Sequence, residues 1–117
     1  MSPLEDAGAC FALEGELDAF TGPELREQLG QALAAGMCRL LVDLSGVEYM
    51  DSVGLGILVG MAKRAAEAGG GLAVVGPRDN VRRVFDVSGT RELLNVVDSL
   101  QDAQSRLGPA TQTGEEG

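Results

Sequence analysis

Residues 40–60 read LLVDLSGVEYMDSVGLGILVG, and this stretch decides the fold. The run CRLLVDL at residues 38–44 is almost unbroken apolar and is bounded by Ser45 and Gly46. That pattern suits a central strand covered on both faces better than an edge strand. A polar turn then leads to Asp51 and Ser52, and a helix is predicted over residues 54–68. The first turn of a helix leaves backbone N–H groups without intrahelical partners and favours an anion. A serine hydroxyl placed there reads as a phosphoacceptor whose phosphate the free N–H groups would face.

Outward from this corner, strand and helix patterns alternate. Upstream, CFALE at residues 10–14 reads as a short strand that runs into GELD. Thr21 and Glu24 have the spacing of a capping box, with Pro23 fitting the first turn. Leu25, Leu29, Ala32 and Leu33 form one apolar stripe that stops at Gly36. Downstream, three glycines at residues 69–71 break the chain before a strand predicted at 72–76, and Pro77 restarts helix over 78–87 until Ser88 and Gly89. A last strand is expected at 93–97 and a last helix at 98–107. Residues 1–9 read as a loose terminus or short edge strand, and residues 108–117 as a disordered tail. The expected architecture is α/β, a mainly parallel or mixed sheet of about four strands with about four helices in one domain over residues 10–107.

Composition limits the function classes. The 117 residues suffice for one core, and with only 3% aromatic residues that core must be aliphatic. Nine Lys and Arg against 18 Asp and Glu give a net charge of −9, which repels nucleic acid and anionic lipid. Cys10 and Cys38 form no CxxC pair and read as buried thiols without a redox role. No signal-peptide pattern or long apolar span is present, so neither export nor membrane insertion is expected and the cytoplasm is the default.

The rival readings of the Asp51–Ser52 corner fail on particular residues. A hydrolase elbow needs Gly-x-Ser-x-Gly and a histidine base, but Met50 stands at the first glycine position and the chain has no histidine. A dinucleotide fingerprint needs G-x-G-x-x-G, whereas Gly54, Gly56 and Gly60 are spaced one residue too far apart at the end. Asp43, Glu48 and Asp51 read as a solvated rim rather than a metal site. A two-component receiver wants a lysine near its last strand, and the sole lysine, Lys63, falls inside the second helix. No catalytic residue, metal or cofactor is therefore expected: the chain is a substrate and binding partner.

Glycine inside a helix costs about 1 kcal/mol relative to alanine, so three in one helix imply close approach by a neighbour. Packing of helix on sheet is the expected reason for Gly60; for Gly54 and Gly56, packing and the backbone of a docking partner both fit. Leu55 between them is either core or a contact for that partner.

Together GELD at residues 15–18, VDLSGVEYMDSVGLGIL at 42–58 and GGGLAVVGPRDNVRRVFDVSGT at 69–90 resemble the STAS domain of the anti-sigma factor antagonists, bacterial regulators of sporulation and stress. The resemblance implies that Ser52 is the phosphorylated serine. It also implies a partner-facing surface of Asp18, Asp51, Ser52, Val53, Gly54, Leu55 and Gly56. Val53 stands where this family usually carries Ser or Thr, removing a hydroxyl from the helix start. The implied partners are an anti-sigma factor serine kinase, which the unphosphorylated protein would bind to release a sigma factor, and a metal-dependent serine phosphatase that resets the switch. The alternative within the same resemblance is an unphosphorylated interaction subunit of a stressosome-like or transporter-associated assembly.

Overall fold

The computed structural model describes residues 2–4 and 8–107. The elements run β1 (Ser2–Leu4), β2 (Gly8–Leu17), α1 (Gly22–Ala34), β3 (Arg39–Met50), α2 (Ser52–Glu67), β4 (Gly71–Val75), α3 (Asp79–Ser88), β5 (Val96–Val97) and α4 (Leu100–Leu107). They form one sheet in the order β1-β2-β3-β4-β5, with β2 to β5 parallel and β1 antiparallel on the edge. β3 occupies the middle, as its apolar run predicts. The sheet thus has the four parallel strands expected, plus the short edge strand. The expected tail at 108–117 lies outside the described residues, as do residues 1 and 5–7 of the expected N-terminal segment.

Side chains alternate between the two faces of the sheet, the period-2 consequence of strand geometry. Leu40, Val42, Leu72 and Val74 face one core that also takes Leu25 and Leu29 of α1, Leu58 and Met61 of α2, and Phe85 of α3. Leu41, Ala73, Val75 and Val97 face the other side, where α4 covers them with Ala103 and Leu107. Three helices therefore pack on one face and one on the other, and the parallel strands are covered on both, as a parallel sheet requires.

Four expectations change. First, β2 and β3 do not stop at residues 14 and 44. Shifts in register between Ala12 and Glu14 and between Gly15 and Glu16 let β2 stay paired, Glu14 with Gly46 and Leu17 with Met50, so β3 passes through Ser45 and Gly46 without a turn. An added Cβ at Gly46 would lie 2.8 Å from the Leu13 carbonyl oxygen, so glycine serves the pairing rather than a chain reversal. Second, β5 covers only two residues of the expected five. Leu94, Asn95 and Val96 donate to the carbonyls of Thr90, Glu92 and Arg91, a turn that buries Leu94 before the strand begins. Third, α4 starts two residues later than expected, where Ser99 Oγ accepts from the Asp102 N–H at 3.1 Å. Fourth, the capping box at α1 is not formed: the Thr21 side chain makes no cap bond to the helix. The predicted stop of α3 holds, since Gly89 takes the left-handed conformation at φ 74° that closes the helix.

Candidate docking and phosphoacceptor site

The C-terminal ends of β2 and β3 lie side by side and deliver two loops to one rim of the molecule. The Asp51 N–H donates to the Leu17 carbonyl at 3.2 Å, which ties the start of α2 to the end of β2. Gly54 completes that junction. A Cβ there would sit 2.5 Å from the Leu17 carbonyl oxygen and 2.8 Å from Leu17 Cγ, a contact only glycine permits. Of the two readings open for Gly54, internal packing is the one the geometry supports.

Asp51 caps α2. Its Oδ1 accepts from the N–H groups of Val53 and Gly54, each at 3.0 Å, with the backbone extended at φ −105° and ψ −174°. This corrects the expectation that those N–H groups stand free to face a phosphate: the carboxylate already holds two of them. It also makes the missing hydroxyl at Val53 immaterial to the cap. Ser52 is exposed and its hydroxyl makes no hydrogen bond among the described residues. The helix therefore takes its cap from one residue and presents the next one to solvent.

The neighbouring loop is built around Asp18. Its Oδ1 accepts from the N–H of Phe20 at 2.9 Å and of Thr21 at 3.0 Å. Thr21 Oγ1 in turn donates to the Glu16 carbonyl at 2.7 Å and accepts from the Asp18 N–H at 3.1 Å. Thr21 thus points back into the loop rather than forward to Glu24, which is why the capping box fails. The Thr21 and Phe20 backbone donors hold the Asp18 carboxyl below the usual carboxylate range. Asp18 shapes the loop with its charge, and the group the loop presents is Phe20, 91% exposed.

The other residues of the sequence-derived surface divide. Val53 is 44% exposed and Gly56 is exposed, both beside Ser52, while Leu55 is half-buried against the core. Gly60, expected to pack against the sheet, is instead exposed, with nothing within 4 Å of an added Cβ; Gly56 is equally open. Ser52, Val53, Gly56 and Gly60 line a groove between α1 and α2 of about 310 Å³, together with Arg26, Ile57, Met61 and Arg64. Sequence reasoning passed over Phe20, Arg26 and Arg64. Phe20 carried one signal, being one of only four aromatic residues in the chain and set in a polar loop. The two arginines carried none, because they border one groove only when α1 and α2 lie side by side.

Among the described residues no cluster of His, Cys, Asp and Glu could hold a metal ion. Cys10 and Cys38 are free and half-buried, and burial pushes the Cys10 thiol up. No helix among the described residues is long and apolar enough to cross a membrane.

The model of the STAS domain family matches residues 4–103. The chain belongs to that family. This STAS domain is 39% identical over 82 residues to the anti-sigma-B factor antagonist of Staphylococcus epidermidis, covering 70% of this chain and 76% of that protein. Its structure is similar to the crystal structure of an anti-sigma factor antagonist from Mycobacterium paratuberculosis, with a TM-score of 0.80, 28% identity, and 92% of this chain and 91% of that one covered. The phosphorylated form of the Bacillus cell fate determinant SpoIIAA has the same fold, with a TM-score of 0.69 at 22% identity over 88% of this chain and 93% of that one.

Proposed function

We propose that this STAS domain is a bacterial anti-sigma factor antagonist that works by switching partners in the cytoplasm. In its unphosphorylated form it binds an anti-sigma factor that is itself a serine kinase, and a sigma factor is released. The domain acts as substrate and ligand rather than as an enzyme. The kinase transfers the γ-phosphoryl group of its ATP to Ser52 Oγ, and the hydroxyl proton leaves as the P–O bond to ADP breaks. A separate metal-dependent serine phosphatase restores the hydroxyl.

The observation that carries this reading is the division of labour at the α2 start. Asp51 makes the capping bonds, so the exposed Ser52 hydroxyl is spare, available to an incoming active site without cost to the fold. The names of the Staphylococcus and Mycobacterium relatives support the same conclusion. Phosphate adds about −1.5 to −2 charges next to the Asp51 carboxylate, which already holds the nearby N–H groups. The new anion gains no helix donors from Val53 and Gly54 and instead charges the surface that must desolvate for docking. Asp18 contributes by fixing the loop that carries Phe20, and Val53 and Gly56 by lying open beside the acceptor.

The test is incubation of the chain with ATP and the anti-sigma factor kinase of its source organism, followed by mass spectrometry. One phosphate on Ser52 is expected, together with a persistent complex when Ser52→Ala replaces the wild type. Modification at another residue, or none, would overturn the reading.

A further inference from the structure

The groove between α1 and α2 begins at Ser52 and ends at Arg64, a run of 13 residues along α2, whose 12 steps span about 18 Å at 1.5 Å per residue. Its floor is apolar, with Val53, Ile57 and Met61, and it is shallow at Gly56 and Gly60, where no side chain fills the space. Its borders are cationic. Arg26 rises from α1, and Arg64 from α2 reaches across to within 3.9 Å of the position a Gly30 Cβ would take, its Nη1 donating to Met61 Sδ at 3.7 Å.

Neither arginine has a carboxylate partner among the described residues, and no acidic side chain lines the groove. In a chain of net charge −9, two guanidinium groups on a groove without an acidic lining residue are a local reversal of sign. Such a reversal selects an anionic occupant. The length of the groove and its apolar floor fit a stretch of polypeptide rather than a single small anion.

We propose that this groove is a second half of the docking surface, taking an acidic segment of the same partner that meets Ser52, with Arg26 and Arg64 pairing with its carboxylates. The inference rests on the function proposed above and names the chemistry of the partner. Contact with the glycine floor brings the partner backbone close to α2, and bidentate arginine pairs set its register. Ser52 stands at one end of this groove, so the acceptor hydroxyl and the cationic border belong to one continuous surface.

The experiment is a calorimetric titration of the source organism's anti-sigma factor kinase into wild-type chain, Arg26→Glu/Arg64→Glu, Arg26→Lys/Arg64→Lys, and Arg83→Glu/Arg91→Glu, which makes the same change in net charge away from the groove. Circular dichroism would verify that each variant is folded. A loss of about tenfold or more is expected for the groove reversal, with the lysine pair closer to wild type and the Arg83/Arg91 control unchanged within about threefold. Equal losses in the groove reversal and the control would overturn the inference and leave the proposed function standing. Failure of wild-type chain to bind the kinase would overturn both.

Discussion

At the scale of single residues, two neighbours at the mouth of α2 have separate tasks. Asp51 Oδ1 holds two helix N–H groups, while Ser52 holds none. An N-cap replaced by alanine typically costs about 1 kcal/mol, whereas an exposed side chain without partners falls within about 0.5 kcal/mol of neutral. Urea unfolding of Asp51→Ala should therefore show a loss of about 1 kcal/mol, and Ser52→Ala a change too small to distinguish from wild type. Equal losses in both variants would mean that the hydroxyl supports the helix, and the acceptor would no longer be free of a structural role. The same exchange of roles occurs in the Asp18 loop, where Asp18 rather than Thr21 binds the N–H groups ahead of α1. Sequence spacing could not decide between them. Both residue types bind turn N–H groups, and the choice follows from the Glu16 carbonyl, which captures the Thr21 hydroxyl only after β2 has extended to Leu17.

At the scale of elements, the alternation of strands and helices was legible because each has its own apolar period and its own stop. β3 reads as central from its apolar run, and α3 ends at Gly89 as predicted. The illegible parts depend on a neighbouring strand. Ser45 and Gly46 look like a turn until the irregular register of β2 supplies partners for them, and the apolar 93–97 looks like a strand until Leu94 is buried from a turn. The α2 glycines make the same point, because three identical residues have two different environments. Gly54 is pressed against the Leu17 backbone, and Gly60 faces open space inside a helix. Gly54→Ala should destabilise the domain by about 1–3 kcal/mol, the range for overpacking against an immobile neighbour. Gly60→Ala should stabilise it by up to about 1 kcal/mol through helix propensity. Thermal unfolding of the two variants checks both signs; a destabilised Gly60→Ala would show that the position is packed. The stabilising substitution should still weaken kinase binding if the groove floor receives the partner. A glycine kept at a cost to stability is what a docking surface of this kind requires.

At the scale of the whole molecule, the decisive quantity is charge. The chain carries −9, and the switch adds more negative charge at a rim where the described fold needs no rearrangement to accept it. The cap of α2 rests on Asp51 and the Asp51–Leu17 bond joins backbone atoms, so neither depends on the Ser52 hydroxyl. Ser52→Asp should consequently keep the amide spectrum of wild type outside the first turn of α2 while binding the kinase about a hundredfold more weakly at low salt. The salt dependence of that gap reveals its cause. Screening lengths shrink from about 10 Å at 0.1 M ionic strength to about 3 Å at 1 M, so repulsion between the introduced carboxylate and an acidic neighbourhood fades as salt is added. The cost of stripping water from the buried charge does not. Titrations of Ser52→Asp and wild type across this range should show the gap narrowing without closing. A gap that stays constant at every ionic strength would assign the eviction to desolvation and shape alone, and the net acidity of the chain would then have no part in the switch.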